Sequence, residues 1–548
     1  MSGSQSRVRG VLRHGSSASS TRCSRGLRNG KLIEQELRSL KAEFRKSPDQ
    51  APGQLSPPSD HIPTGVRGRE TSSINSLAIV KQPVLSARSI DDIYLEPEVI
   101  HKLLEEYYTN YHELFPLLPE LPIFMKSYAS YDVLFWTVIA IACAGLNEHS
   151  DLYLQLKSPV ERLLTDINHP ASHSFPQIQA LLLVCCWPFP FGPVDTDPSW
   201  TYCGLATHYA LRLGLHRPAH PNDFKYDTLY DSETLITRQK AWIACFIVNQ
   251  GISTKLGIPS TVRVDNSILE VLTSPPSWLP ESFLRQLIIA HQLSRFTITL
   301  GNDQKTSTGL FPEPAPMIQM FDEDLRMSES RFDSTRPPME LIMFLGARLS
   351  LYSFVFGVEE KDEQRVLSCI KSHVEILSQA YITIMQLLSI AISSGAGIKY
   401  WISPCRTYIY FSIFFLLKLL KYPSHSFVDE IAAGNIINQA WEQLKNCSSS
   451  EGDHMSRICA IIQFLATGSE TQSQDGPLLL VRSRMAANIY RDAVWRAKKR
   501  FSMAVQDQHP EDYTTAESLL QNEAMELFST PYLERIMPEL GFLSENFE

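Results

Sequence analysis

The chain has 548 residues, 44% apolar and 20% charged, with 34 prolines and a formal charge of −9. Its apolar share suffices for a sizeable core and excludes wholesale disorder, and its acidic balance excludes a globally basic nucleic-acid binder. The total hides an asymmetry: residues 1–31 carry Arg7, Arg9, Arg13, Arg22, Arg25, Arg28 and Lys31 and no acid, leaving −16 for the rest.

Residues 1–31 read as a basic, unstructured arm. Seven cations suit salt-dependent, sequence-tolerant contact with DNA phosphates, and equally a solvated arm or a nuclear-localisation patch. No apolar h-region follows the first arginines, and Val8, Val11, Leu12 and Leu27 are too few for an amphipathic import helix. Next, Ile33, Leu37, Leu40 and Phe44 follow a 4-3-4 spacing, the seam of a short coiled-coil-like helix over 32–46 and a candidate dimerisation contact. At under two heptads such a helix is marginal alone, and docking on the body is the other reading. Residues 47–90 are rich in Pro, Ser and Gly without periodicity, a disordered linker.

From 91 to 505 the pattern is helical, so the fold class is all-α: one large helical domain of two intertwined halves. Val99 to Tyr111 shows 3–4 spacing and ends near Phe115-Pro116. Val133–Ala144 and Ile178–Trp187 are nearly all apolar and read as central helices, the second stopped by Pro188 and Pro190. Asp197-Pro198-Ser199 opens a helix over 200–213, with Asp197 the candidate cap and Gly214 suited to its end. Further helices are expected at 238–252, 283–300, 317–332, 339–356, 362–393, 403–421, 426–446, 453–467 and 477–505. Residues 376–398 and 408–417 lack the length or purity of membrane spans and read as buried helices. No alternating strand pattern and no internal repeat is evident. The segment 506–548 is acidic: nine acids and one base, Arg535, lie between 511 and 548, interleaved with Leu and Phe. That composition is a weak activation-segment signal or an ordinary solvated helix.

Catalytic and phosphate-binding motifs are absent, and no catalytic residue is assigned. Glu105-Glu106 and Asp322-Glu323-Asp324 read as solvated helix faces. His208 and His216 read as hydrogen-bonded helix histidines, and Cys203 with His208 lacks the further ligands a metal needs. The ten cysteines form no Cys-x-x-Cys and mostly sit in apolar runs, as buried hydrophobes in a reducing compartment do.

Several stretches nevertheless resemble the regulatory region of fungal zinc-cluster transcription factors. They are Leu104 to Phe124 with its Phe-Pro; Cys186-Trp-Pro-Phe-Pro190; Asp197 to Pro218 with Leu-Gly-Leu-His-Arg; and Arg238 to Gln250 followed by Gly257-Ile-Pro259. Met320–Leu325, Ala347–Phe354, Ser403-Pro-Cys-Arg406 and Ser448–Ala466 are weaker likenesses. The pattern is most similar to the branch of the leucine-biosynthesis and secreted-protease regulators. Within it, Trp200, Tyr202, Leu205, Leu211, Leu213 and Leu215 are expected as core contacts, Gly204 and Ala206 as sites of close helix approach, and Arg217 and Arg238 as anchors for carboxylates or helix ends.

The resemblance implies a nuclear transcription regulator, not an enzyme, acting on a fungal metabolic or secondary-metabolite pathway. Its implied partners are DNA, directly or through another factor; a second chain in a homo- or heterodimer; the transcription machinery; and a small-molecule effector in a cavity near the 200–216 and 238–250 helices. No membrane is implied. The family also carries a six-cysteine cluster holding two zinc ions, whereas only Cys23 precedes residue 143 here, so no cofactor is assigned to this chain. Three readings fit: a regulator without its own cluster, a start that misses an exon, or a basic arm that itself binds DNA weakly. The alternative function is a co-regulator lacking a DNA-binding domain that dimerises with a complete zinc-cluster factor.

Overall fold

A computed structural model of the chain describes residues 86–127, 131–166, 174–192, 196–224, 232–332, 336–357, 363–422, 426–450, 452–467 and 479–508. These lie within one compact unit, 81–548. The basic arm, the 32–46 seam, nearly all of the linker and nearly all of the acidic segment fall outside the described residues.

The described chain is all-α apart from one hairpin. Strands β1 (Arg88–Ile90) and β2 (Ile93–Leu95) pair antiparallel around a turn in which Asp91 takes φ +47°. Three-residue strands are too short to show alternation, which is why the sequence gives no strand signal here.

Sixteen α-helices follow among the described residues. The first seven are α1 (Pro97–Asn110), α2 (Leu121–Ser127), α3 (Asp132–Gly145), α4 (Ser150–Thr165), α5 (Ser174–Cys186), α6 (Ser199–Arg212) and α7 (Ser232–Leu256). The rest are α8 (Asn266–Thr273), α9 (Glu281–Gly301), α10 (Pro314–Glu329), α11 (Pro338–Tyr352), α12 (Glu363–Ser394), α13 (Ser403–Leu420), α14 (Glu430–Lys445), α15 (His454–Thr467) and α16 (Asn488–Gln508).

Helices without a polar face become central. Val133–Cys143 of α3, Pro176–Cys186 of α5, Ala241–Gln250 of α7 and Tyr408–Leu416 of α13 are buried without interruption. Each such large apolar side chain contributes roughly 1.5–3 kcal/mol. Helix α5 packs on α3, α6 and α7; α9 bridges α7 and α11; α13 touches α11, α12, α14 and α16 and also reaches back to α5 and α7. One continuous apolar cluster therefore runs from Ile90 to Ala497. By length and composition two helical stretches could cross a membrane, Pro338–Phe356 and Ser372–Tyr400. The first window is 83% buried, and the second turns Ile376, Ala380, Ile384, Leu387 and Ala391 inward as one stripe.

Buried polar groups fix the turns between these helices. Asn249, fully buried on α7, accepts from Ser260 Oγ at 2.8 Å and from the Thr261 N–H at 2.9 Å, and donates to Thr261 Oγ1 at 2.8 Å. It thereby clamps the chain just after the Gly257-Ile-Pro259 turn. Arg238 donates to the Leu213 carbonyl at 2.6 Å, anchoring the end of α6 as expected.

Several expectations are corrected. Helices α2, α4 and α8 appear where the sequence pattern gives no element. Residues 479–487 hold no α-helix: Asp492 takes the Leu480 N–H at 2.6 Å and Asn488 the Arg484 N–H at 2.8 Å, so α16 starts only at Asn488. Asp197 does not cap from the usual position. Pro198 occupies the N-cap, while the buried Asp197 carboxylate accepts the Ser199 N–H at 2.9 Å. Leu211 is exposed rather than a core contact, and so is Arg217. Nothing lies within 4 Å of a Cβ placed at Gly204, so no close helix approach occurs there. Asp322 turns inward from its acidic run, accepting from Tyr352 Oη at 2.6 Å and from Arg348 Nε at 2.8 Å.

Gly257 shows where a missing side chain matters. It sits at φ +66°, and a Cβ there would lie 2.0 Å from the Arg484 carbonyl oxygen. Gly257→Ala should cost at least about 2 kcal/mol in urea unfolding, from left-handed strain plus that backbone overlap. Gly204→Ala should be neutral or stabilising by up to about 1 kcal/mol.

Candidate functional site

A polar chamber of about 210 Å³ lies where separate parts of the chain meet. Its walls come from residues 187–191 after α5, Lys255 at the end of α7, Lys399 with the first turns of α13, and residues 446–455 around the start of α15. Tyr111, Asn147 and Tyr153 close the remaining side.

The 187–191 segment is a fixed wall because its groups are tied off one by one. Trp187 Nε1 donates to the Tyr400 carbonyl at 2.7 Å, and its ring meets Tyr111 edge-on at 5.4 Å. Tyr153 Oη reaches the Pro188 carbonyl at 3.4 Å, and Lys157 donates to the Pro190 carbonyl at 2.6 Å. The Phe191 carbonyl accepts the His454 N–H at 2.6 Å, and the two rings stack at 4.8 Å. Two prolines stop α5 and leave no backbone N–H at 188 and 190 to satisfy.

The charged groups fall into two classes. Lys255 Nζ pairs with Asp197 Oδ2 at 2.7 Å, with the side chains 9% and 5% exposed. Burial pushes the Asp197 carboxyl up, but the Lys255 charge and its hydrogen bonds outweigh that and hold it below its ordinary value. Burial pulls Lys255 down, and the Asp197 charge more than restores it. The pair is therefore ionised and self-neutral. Asp453 is likewise spent: it accepts from Ser448 Oγ at 2.9 Å and from the N–H groups of Ser449 at 2.7 Å and Ser456 at 2.9 Å, capping α15. Burial, then the Lys255 charge, drives His454 down to about 3, so its imidazole is neutral. Lys399 donates to the Gly145 carbonyl at 2.8 Å. The Arg406 side chain makes no hydrogen bond or ion pair among the described residues, and His454 Nε2 is buried without a partner.

A second, apolar cavity of about 60 Å³ lies beside the chamber, lined by Ile247, Val248, Ile252, Ile289, Leu293 and Phe411 among others. Lys255, Ser403, Thr407 and Tyr410 line both, forming a shared wall.

The stretches that carry the family resemblance thus converge: Trp187 to Pro190, Asp197, Ser403 to Arg406 and Ser448 onward all bound or brace one chamber. The expected helices contribute less than anticipated. Ser199, Ile247 and Val248 reach only the apolar cavity, and nothing from 200–216 or 238–250 lines the polar chamber. His208 is exposed, and Cys203 is buried against Asn249 Nδ2 at 3.4 Å. The arm residues Arg7 to Lys31 and the seam Ile33, Leu37, Leu40 and Phe44 lie outside the described residues. Lys399 carried no sequence signal, and Asp453 and His454 stood in the quoted stretch Ser448–Ala466 without being singled out. Arg406 stood in a quoted stretch whose Pro404 fixes the start of α13 and so places the arginine on its first turn. Among the described residues no cluster of three or more His, Cys, Asp or Glu could hold a metal ion, and seven of the eight described cysteines are buried free thiols.

The profile of the fungal specific transcription factor domain matches residues 104–381. The chain belongs to that family. The putative transcription factor SEF1 of Eremothecium gossypii is 24% identical over 444 residues, 77% of this chain and 41% of that protein. The regulatory protein LEU3 of Saccharomyces cerevisiae is 22% identical over 475 residues, 76% of this chain and 53% of that protein. The transcriptional regulatory protein SEF1 of Candida albicans is 24% identical over 450 residues, 76% of this chain and 46% of its own length. The chain therefore spans about half the length of these relatives. No solved structure matches it. The family is one of transcription factors, and the named relatives are a putative transcription factor, a regulatory protein and a transcriptional regulatory protein.

The shared wall rests on the Asp197–Lys255 pair. Asp197→Ala and Lys255→Met should each cost about 3 kcal/mol or more in urea unfolding, because each leaves a buried charge alone. The double variant should cost clearly less than the sum of the two. Additive losses would show that the pair is not coupled.

Proposed function

We propose that this chain is a nuclear regulator of transcription for a fungal metabolic or secondary-metabolite pathway, and that its helical body is the part that senses a small molecule. The family match over residues 104–381 carries this reading, and the chamber supports it: its 187–191 wall and Lys255 lie within that match, and its wall at 399–455 lies beyond it. The relatives supply a hint of pathway type, since one is named for leucine. In this reading the body acts as a ligand-biased element, the acidic 506–548 segment contacts the transcription machinery, and no bond is made or broken.

Two routes to DNA are open to such a regulator. The arm residues Arg7, Arg9, Arg13, Arg22, Arg25, Arg28 and Lys31 would neutralise phosphates, giving an affinity that falls steeply with salt, with a slope of up to about 0.9 per cation engaged. The seam of Ile33, Leu37, Leu40 and Phe44 favours a second reading, a co-regulator that dimerises through 32–46 with a complete zinc-cluster factor. Zinc then belongs to the partner.

The test is tethering. Fused to an unrelated DNA-binding domain at a reporter promoter in a fungal host, the full chain should accumulate in the nucleus and change transcription severalfold. Removal of 506–548 should abolish an activating effect. A nuclear fusion that leaves the reporter unchanged, or one held out of the nucleus, would contradict the reading.

A further inference from the structure

The chamber's charge pattern says what kind of molecule it suits. Its volume of about 210 Å³ compares with a cavity of about 150 Å³ that holds benzene, so it has room for roughly eight to twelve non-hydrogen atoms. Lys255 is cancelled by Asp197 at 2.7 Å, and His454 is neutral. Among the side chains that line the chamber, what remains is Lys399 and Arg406 against Asp453, an excess of one positive charge on the wall itself, while the Glu106 carboxylate acts on Tyr111 from behind it. The Asp453 oxygens are already occupied by serine hydroxyl and backbone N–H donors. Lys399 spends a donor on Gly145. Arg406 is the unspent group. Its charge reaches Tyr111, Tyr153, Cys447 and His454, which lie on separate segments of the wall. A guanidinium offers a planar fork of N–H donors that matches a carboxylate in bidentate geometry, and leaving it unpaired in a partly enclosed site forgoes that pairing.

We propose that the chamber is a binding site for a small polar monocarboxylate, whose carboxylate pairs with Arg406 and whose body lies between the 187–191 wall and the 446–455 loop. The excess of one positive charge matches one carboxylate. A doubly charged phosphate would exceed it and would face the Asp453 carboxylate. Asn147 and Ser403 on the wall, and Asn446 where the chamber meets solvent, carry side-chain polar groups with no hydrogen-bond partner among the described residues, so a body bearing hydroxyl or amide groups is favoured over a purely apolar one. The site deepens the sensing role given above and rests on it for its consequence. Binding itself is measured without DNA or a reporter, so it can fail while the regulatory reading stands.

The experiment is titration calorimetry of the purified full chain with a panel of monocarboxylates: 4-hydroxybenzoate, 2-hydroxyhexanoate, N-acetylglycinate and gluconate. The neutral isostere 4-hydroxybenzamide and inorganic phosphate serve as controls. At least one carboxylate should bind saturably with one site per chain, Arg406→Gln should weaken it about tenfold or more, and Arg406→Lys should retain part of the affinity. The amide and phosphate should not compete. Because Arg406 has no protein partner to lose, Arg406→Gln should keep the wild-type unfolding midpoint; if it does not, the carboxylate-against-amide comparison on the wild-type chain still decides. The proposal is overturned if no panel member binds below about 10 mM, if the amide binds as well as its acid, if a folded Arg406→Gln binds unchanged, or if phosphate binds more tightly than every carboxylate.

Discussion

The buried pair of Asp197 and Lys255 is the constraint on which the site depends. Lys255 stands at the end of the 25-residue helix α7, whose middle is buried all round, and Asp197 stands just before α6. Their 2.7 Å contact closes the gap between those two elements and forms part of the wall separating the polar chamber from the apolar cavity. A carboxylate and an ammonium this deeply buried stabilise little in net terms, because desolvation offsets most of their attraction. Their effect is on geometry: neither can move away without leaving the other charged and alone. The same pair removes one cation from the chamber's balance; His454 is kept neutral by burial first and by the Lys255 charge second, with Asp197 opposing.

Around that pair the chamber is rigid for a simple reason. On the 187–191 wall the Trp187 indole and the carbonyls of Pro188, Pro190 and Phe191 are committed to partners on Tyr400, on α4 and at the start of α15. The loop 446–453 is shaped by one carboxylate, Asp453, that gathers several donors. Arg406 is the one cation on this wall that nothing in the protein pairs among the described residues, and His454 Nε2 beside it is buried without a partner; a fixed frame around such unspent groups is what a pre-formed polar site requires.

The sequence disclosed the helices through their apolar composition: Val133–Cys143 and Pro176–Cys186 could be little other than central helices. It concealed elements whose patterns are interrupted. Helix α4 contains Pro159, α2 begins beside Pro119 and Pro122, and the hairpin at 88–95 is too short to alternate. The stretch 479–487 holds leucines and arginines that suit a helix, yet Asp492 and Asn488 draw the Leu480 and Arg484 N–H groups away. The chamber was half legible. The quoted family stretches supply most of its walls, but their meaning lies in long-range contacts such as Trp187 to Tyr400 that no local spacing encodes. A lone arginine on an apolar helix carries no motif, and only the list of its missing partners singles out Arg406.

Hydrogen exchange on the full chain, with and without a panel carboxylate that binds, tests the central claim that distant stretches build one ligand chamber. The account predicts that amides in 187–191, 403–407, 446–450 and 452–456 slow together, while those at 318–326 and 374–379, which line a third cavity between Asp322, Tyr352 and Gln379, do not change. Protection confined to that other cavity, or to only one of the three segments, would contradict it.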